Sequence, residues 1–599
     1  MDYIRLPSRP QYREIMDKFL GYDKRLGAAE GSFAEMQNLS SDLYPMLSPR
    51  RPRGTTASFF SGRCAGLVVK DRICRCDGSM FRHGDDAYEM GLSEEPKQMV
   101  SMGAYVLIFP DRKYFNTANP EDRGDIDVAV QTANETFVYP CRVDGEEIVG
   151  EYISPDEPAE PKDGAYWINT SEYPNTMHRY NAAAAVWVQV EATAVRILSP
   201  GIGERFEVGD GVTISGIGAE MNATDFGTGE KLNEKQMEQL SQLDGTHVIL
   251  AREKDWIAVS GLVDARVSLT SIVTVERKLP AMDFVVEHGN RLWGCRYGLD
   301  AAGEFVNILY ASRLGDFRNF GVYQGVDTDS YYAHVGTDGP FTGAIAWGYG
   351  DRVLFFKEHG FHAVYGGGPA TFRVDWTACD GVQPGSHRSI RELDGTIYYK
   401  SRLGVCAYAG GMPAEIGEAL ESGGYHDAVG GTWKNKYYLS MLDSSGGAHL
   451  FVWDAMKKLW HREDDLRVLD FADAGEECYA LAANGNLRTL GGSEGLSEGA
   501  VKWMAQTGKL GTEHPDRKYL TRLNVRLRLD RGSRLRLYIR YDSRGSWVQV
   551  CAASGTDLRA CDFAVRIRRC DHYELRFEGE GYGEIYSIVK TYQTGSDRR

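Results

Sequence analysis

The chain has 599 residues, 42% hydrophobic and 25% charged, the balance of a globular protein with a sizeable core. Its formal net charge of −16 disfavours broad nucleic-acid binding. Eleven cysteines with no CxxC pair exclude a zinc ribbon, and no apolar run reaches the length of a membrane helix. Cys74 and Cys76 are too close for an ordinary strand disulfide, and MDYIRLPSRP lacks the apolar stretch of a secretory signal. These features predict a protein made in the cytoplasm with reduced thiols.

Residues 1–53 read as an extended N-terminal arm. Phe19, Phe33, Met36, Leu39, Tyr44 and Leu47 are too apolar for a solvated linker, yet follow neither a helical nor a strand period. Such a segment makes no core of its own, so it is expected to dock on its own body or on a neighbouring subunit. Phe19, Phe33, Met36, Leu39 and Tyr44 are its candidate interface residues, and its removal is expected to leave a folded monomer.

From residue 54 onward a strand–turn–strand pattern recurs, first in CAGLVVKDRICRCDGSMFRHG (64–84) and VSMGAYVLIFPDRKYFNT (100–117). It returns at 286–320, 344–366, 390–411, 428–463 and 471–492. In each unit a small-polar turn, such as Gly350-Asp351, Asp394-Gly395 or Lys434-Asn435, precedes an apolar strand. From Gly350 to Asp394 to Asn435 to Ala474 the step is about 40 residues, the signature of β-propeller blades. The predicted fold is all-β: a β-propeller of about seven blades, with six to eight allowed, over 54–119 and 281–495. Between these parts lies a β-rich inserted domain, 120–280. Its one helix falls in NEKQMEQLSQLDG (233–245), where Asn233 can cap and Met237, Leu240 and Leu243 share a face.

In YASRLGDFRNF (310–320) a strand runs into a loop studded with Leu314, Phe317 and Phe320. These three either pack on the propeller rim or a neighbouring subunit, or only against their own blade.

Residues 496–599 read as an antiparallel β-sandwich, with turns at the Arg-Gly-Ser stretches. In YLTRLNVRLRL, apolar residues alternate with Arg522, Arg526 and Arg528, giving an arginine-rich outer face. Residues 501–599 hold 20 Lys and Arg against 12 Asp and Glu, a net +8, so the rest of the chain carries −24. This predicts that the arginine face meets an acidic protein surface.

No HExxH, GxSxG or phosphate-loop motif occurs, and no catalytic residue, metal ligand or cofactor site is predicted. Asp327, Asp329, Asp338 and His334 cluster in one loop, where carboxylates fixing turns are the plainer reading. WHRED (460–464) and RCDHYEL (569–575) place His beside acids, but strand alternation sends neighbours to opposite faces.

The arm GYDKRLGAAEGSFAEMQNLSSDLYPMLSPRRPR resembles the N-terminal segment of many tailed-phage and prophage structural proteins. NRLWGCRYG followed by NILYASRLGDFRNF is similar to the same group, which includes tail-nozzle and packaged-DNA stabilisation proteins of short-tailed phages built around a β-propeller. The resemblance spans roughly 15–60 and 284–465. It implies a virion protein of the tail or head–tail junction, forming a homo-oligomeric ring with other tail or neck proteins around the path of the DNA. The alternatives are a receptor- or glycan-binding tail protein, with the sandwich as adhesin, and a virion-borne glycan hydrolase.

Overall fold

The computed structural model describes residues 11–58, 64–132, 136–148, 152–171, 176–192, 194–219, 223–226, 229–263, 265–300, 303–421, 424–513 and 517–594. The chain forms two compact units, one of Met1–Met99, Gly339–Tyr365 and Val374–Arg599, the other of Val100–Asp338 and Gly366–Arg373. Both are built from β-strands; the one described α-helix is Glu234–Ser241.

Small four-stranded antiparallel sheets dominate. In the first unit they are formed by strands within 64–89, 341–378, 391–415 and 426–462. A fifth joins Val468–Asp473, Cys478–Ala482 and Asn486–Thr489 to Gly54–Ser58, with Thr489 opposite Gly54. The second unit holds two more, within 98–125 and 284–334. Two-residue turns set their registers. Lys434 and Asn435 take φ of 47° and 59°, and Asp394 and Gly395 take 49° and 77°, the left-handed pair that matches strand twist. The 40-residue step therefore counts the first hairpin of successive sheets.

The inserted residues form a bent nine-stranded sheet from Val128–Gln131 to Thr274–Arg277. Its core includes Val138, Ile197, Ile214, Ile257 and Val275. The helix starts where Asn233 and Gln236 cap each other reciprocally, and it seats Leu240 and the following Leu243 in this core. Within the insertion, Tyr152–Ser154, Tyr166–Asn169, Thr176–Asn181 and Val186–Ala192 make a separate four-stranded sheet with one parallel pair.

The C-terminal region departs from a two-sheet sandwich. It is one nine-stranded sheet that includes three strands of the arm. Lys518–Tyr541 runs unbroken for 24 residues. Its first half pairs with Gly583–Thr594 and its second with Tyr573–Glu580. The Arg531-Gly532-Ser533 stretch is a bulge inside this strand, with Gly532 at φ 87° and a register shift, and bends it without reversing it. Leu523, Val525, Leu527, Leu529, Leu535, Leu537 and Ile539 thus line one continuous buried face.

The arm lies in the fold of its own chain. Gln11–Met16 pairs with the last strand, Ser32–Gln37 with Lys502–Thr507, and Gly21–Tyr22 with Ser32-Phe33. Phe19, Phe33, Met36 and Leu39, at most 3% exposed, fill a cluster with Phe451 and Trp460 of one four-stranded sheet and Leu520 to Ile539 of the nine-stranded sheet. Gly21 sits at φ 82°, where a Cβ would lie 2.3 Å from the Trp460 carbonyl oxygen. Phe19, Phe33, Met36 and Leu39 are therefore interior residues that offer a partner no surface, whereas Tyr44 is 36% exposed.

Candidate functional site

The loop 310–320 is the joint of the second unit. Tyr310 and Ala311 end the strand Phe305–Ala311. Phe317 and Phe320 are buried in a cluster with Val100, Leu107 and Phe109 of the 98–125 sheet, while Leu314 is 43% exposed. The Phe317 ring lies 5.1 Å from Tyr105 and 5.8 Å from Tyr114, with the Arg318 guanidinium 4.8 Å over Tyr114. Phe317 and Phe320 thus pack against a second sheet of their own chain.

Asn319, fully buried, reaches the other way. Its Oδ1 accepts from the Gly211 N–H (2.9 Å) and its Nδ2 donates to Asp210 Oδ1 (3.0 Å). Asp210 is also ion-paired with buried Arg277, and Arg313 donates to the Gly209 carbonyl (3.1 Å). One loop so ties two four-stranded sheets to the inserted sheet. Gly209-Asp210-Gly211 has the composition of a turn, but the partner of Asp210, 109 residues away, carries no local signal.

The acidic loop fixes backbone. Asp329 Oδ2 accepts from the N–H groups of Gln324, Gly325 and Val326, and buried Arg291 donates to the carbonyls of Ser312, Asp327 and Asp329. Among the described residues no group of three His, Cys, Asp or Glu side chains could hold a metal ion.

WHRED is likewise structural. Glu463 and Asp464 bind Arg53, and Arg50 binds Glu498, which anchors the arginine-proline exit of the arm. His461 is buried beside Lys436, and desolvation, with that positive charge, pushes its pKa from 6.5 down to about 3. The neutral form is favoured only in the folded state, so this contribution is complete above about pH 6.5 and is lost as pH falls toward 3. At pH 4.5 the loss amounts to about 2–3 kcal/mol. Replacing His461 by Phe is expected to flatten the fall in denaturation midpoint between pH 6.5 and 4.5; a variant with the parent's slope would remove His461 from the acid response.

At the hairpin Asp542-Ser543 the structure joins residues that the sequence keeps apart. Ser543 Oγ lies 2.8 Å from His572 Nε2, whose Nδ1 is 3.0 Å from Asp571. Serine, imidazole and carboxylate are in line, but the Ser543 hydroxyl donates to Glu574 (2.9 Å). Its proton is directed away from the imidazole, so the set ties down the hairpin tip and does not activate a nucleophile.

The arginine face is compensated within the sheet. Arg528 pairs with Glu584 (2.8 Å), Arg534 with Glu580 (2.9 Å) and Arg540 with Glu574 (2.5 Å), and Arg522 pairs with Asp562. Arg522 and Arg528, expected to meet another protein, are thus satisfied by acids on neighbouring strands. Arg526 stays exposed without an ion pair among the described residues.

No protein-family model matches the chain, and no curated protein matches it. Solved structures with some likeness include the computationally designed Ika8 protein, with TM-score 0.31 and 9% identity over 73% of this chain and 99% of that one. An exo-β-1,3-galactanase from Phanerochaete chrysosporium gives TM-score 0.22 and 10% identity over 52% of this chain and 96% of that one. A Trypanosoma rangeli sialidase mutant displaying trans-sialidase activity gives 0.22 and 8%, over 67% and 90%. At these scores none of them bears on fold or function.

Proposed function

We propose that the chain is a structural component of a tailed-phage virion, in the tail or at the head–tail junction, forming a homo-oligomeric ring around the DNA path. One observation carries this reading: the two stretches that resemble phage structural proteins are the joints of the fold. The arm threads between two sheets, and 310–320 ties three together. A resemblance that falls on joints suits a load-bearing part, and the polar clusters described above are likewise engaged in turns and anchors. In this reading the seven four-stranded sheets outside the insertion are blades of one propeller, the last completed by Gly54–Ser58 from the other end of the sequence. The charge of −24 outside residues 501–599 keeps DNA from adhering to a channel wall.

Two measurements on the purified full chain test this. Native mass spectrometry or electron microscopy is expected to find closed rings of one protein, with no reducing sugar released from host polysaccharide. Sugar release abolished by Asp327→Asn or Asp329→Asn would overturn the reading in favour of a virion-borne hydrolase.

A further inference from the structure

The outer face of the nine-stranded sheet has two gaps in its charge pairing. Arg522, Arg528, Arg534 and Arg540 each have an acidic partner. Arg526 and Arg536 are exposed and have none among the described residues, because Glu578, opposite Arg536, pairs with Arg576 instead. On their other side both face alanine: Arg526 stands opposite Ala560 and Arg536 opposite Ala552.

Those alanines belong to Arg544–Ala564, a 21-residue strand whose only strand partner among the described residues is Lys518–Tyr541. Among the described residues no strand pairs with its other edge, which leaves a ladder of backbone donors and acceptors there. Natural edges of such length are guarded by charges or proline. From Gly545 to Thr556 this edge has neither. Val548 and Leu558, 48% and 42% exposed, leave apolar surface at the same margin.

We propose that this edge is a docking site for an extended, acid-bearing strand of a partner protein. The added strand pairs with the edge backbone and sets carboxylates beside Arg526 and Arg536. Neighbouring strands lie about 4.8 Å apart, so an arginine stem can cross a small alanine toward a carboxylate on the strand beyond. Backbone pairing supplies affinity and the two arginines supply selection. A second copy of the same strand fits worse, since of its two acids, Asp557 and Asp562, the latter is already paired with Arg522, and the copy adds its own Arg526 and Arg536.

The probe is a short synthetic peptide alternating Glu with Val, added to the full chain and followed by amide exchange. The expected result is slowed exchange confined to 545–562, absent when Lys replaces Glu in the peptide. Arg526→Gln with Arg536→Gln, both solvent-exposed, is expected to weaken binding about tenfold, the worth of two exposed ion pairs, and to flatten its salt dependence. Ala552→Glu, which gives Arg536 a carboxylate within the chain, should weaken it as well. Equal binding of the Lys peptide would overturn the proposal. So would concentration-dependent protection of 545–562 without any peptide, which would assign the edge to a second copy.

Discussion

Removing residues 1–53 is expected to leave no stably folded first unit. This reverses what the sequence suggests of the arm, and the reason is packing. Phe33, Met36 and Leu39 are wholly buried, and Phe19 nearly so, between Phe451 and Trp460 on one side and the leucine face of Lys518–Tyr541 on the other. Without them both faces are bared to water. The arm also supplies three strands to the nine-stranded sheet and brings Arg50 and Arg53 to their carboxylates, so truncation leaves Glu463 and Asp464 without their cations. One large side chain is already enough for a clear effect: Phe33→Ala should cost about 3–5 kcal/mol. Denaturant titration with amide exchange checks this, and a truncated chain that keeps protection in 518–541 and 436–442 would refute it.

The second large effect is expected at the 310–320 joint. Asp210→Ala leaves the Arg277 guanidinium buried without its counter-charge and Asn319 with Asp316 as its one remaining carboxylate acceptor, a change expected to cost about 3–5 kcal/mol. Asn319→Leu removes the hydrogen bonds to Gly211 and Asp210 while the charge pair stays, and should cost about 2–4 kcal/mol. Because the two residues share one network, the double variant should cost less than the sum. Chemical denaturation followed through tryptophans of the second unit tests this; strict additivity would mean that Asp210 and Asn319 act independently.

What the sequence discloses here divides by range. Lys434-Asn435 and Asp394-Gly395 announce hairpins because a left-handed residue pair is a local demand, and the helix over 234–241 is legible from its cap and three leucine-like positions. The arm is not, since a segment passing between two sheets obeys the period of neither. The sandwich reading stumbles on Arg531-Gly532-Ser533, whose composition is that of a turn but whose glycine makes a bulge in a continuous strand. The arginine face misleads for a further reason. Its neutralising partners, Glu574, Glu580 and Glu584, alternate just as regularly, but which of them stands beside which arginine depends on a register set across several strands. Asn319 and Asp210 are the same problem at longer range.

The proposed role is that of a built-in part of a phage particle. It is tested most directly by quantitative mass spectrometry of density-purified particles released from the strain that encodes it. The chain is expected in those particles at a fixed copy number relative to the portal protein, retained through high-salt washing. Its absence from intact particles, with the protein recovered only in the cleared lysate, would contradict the account.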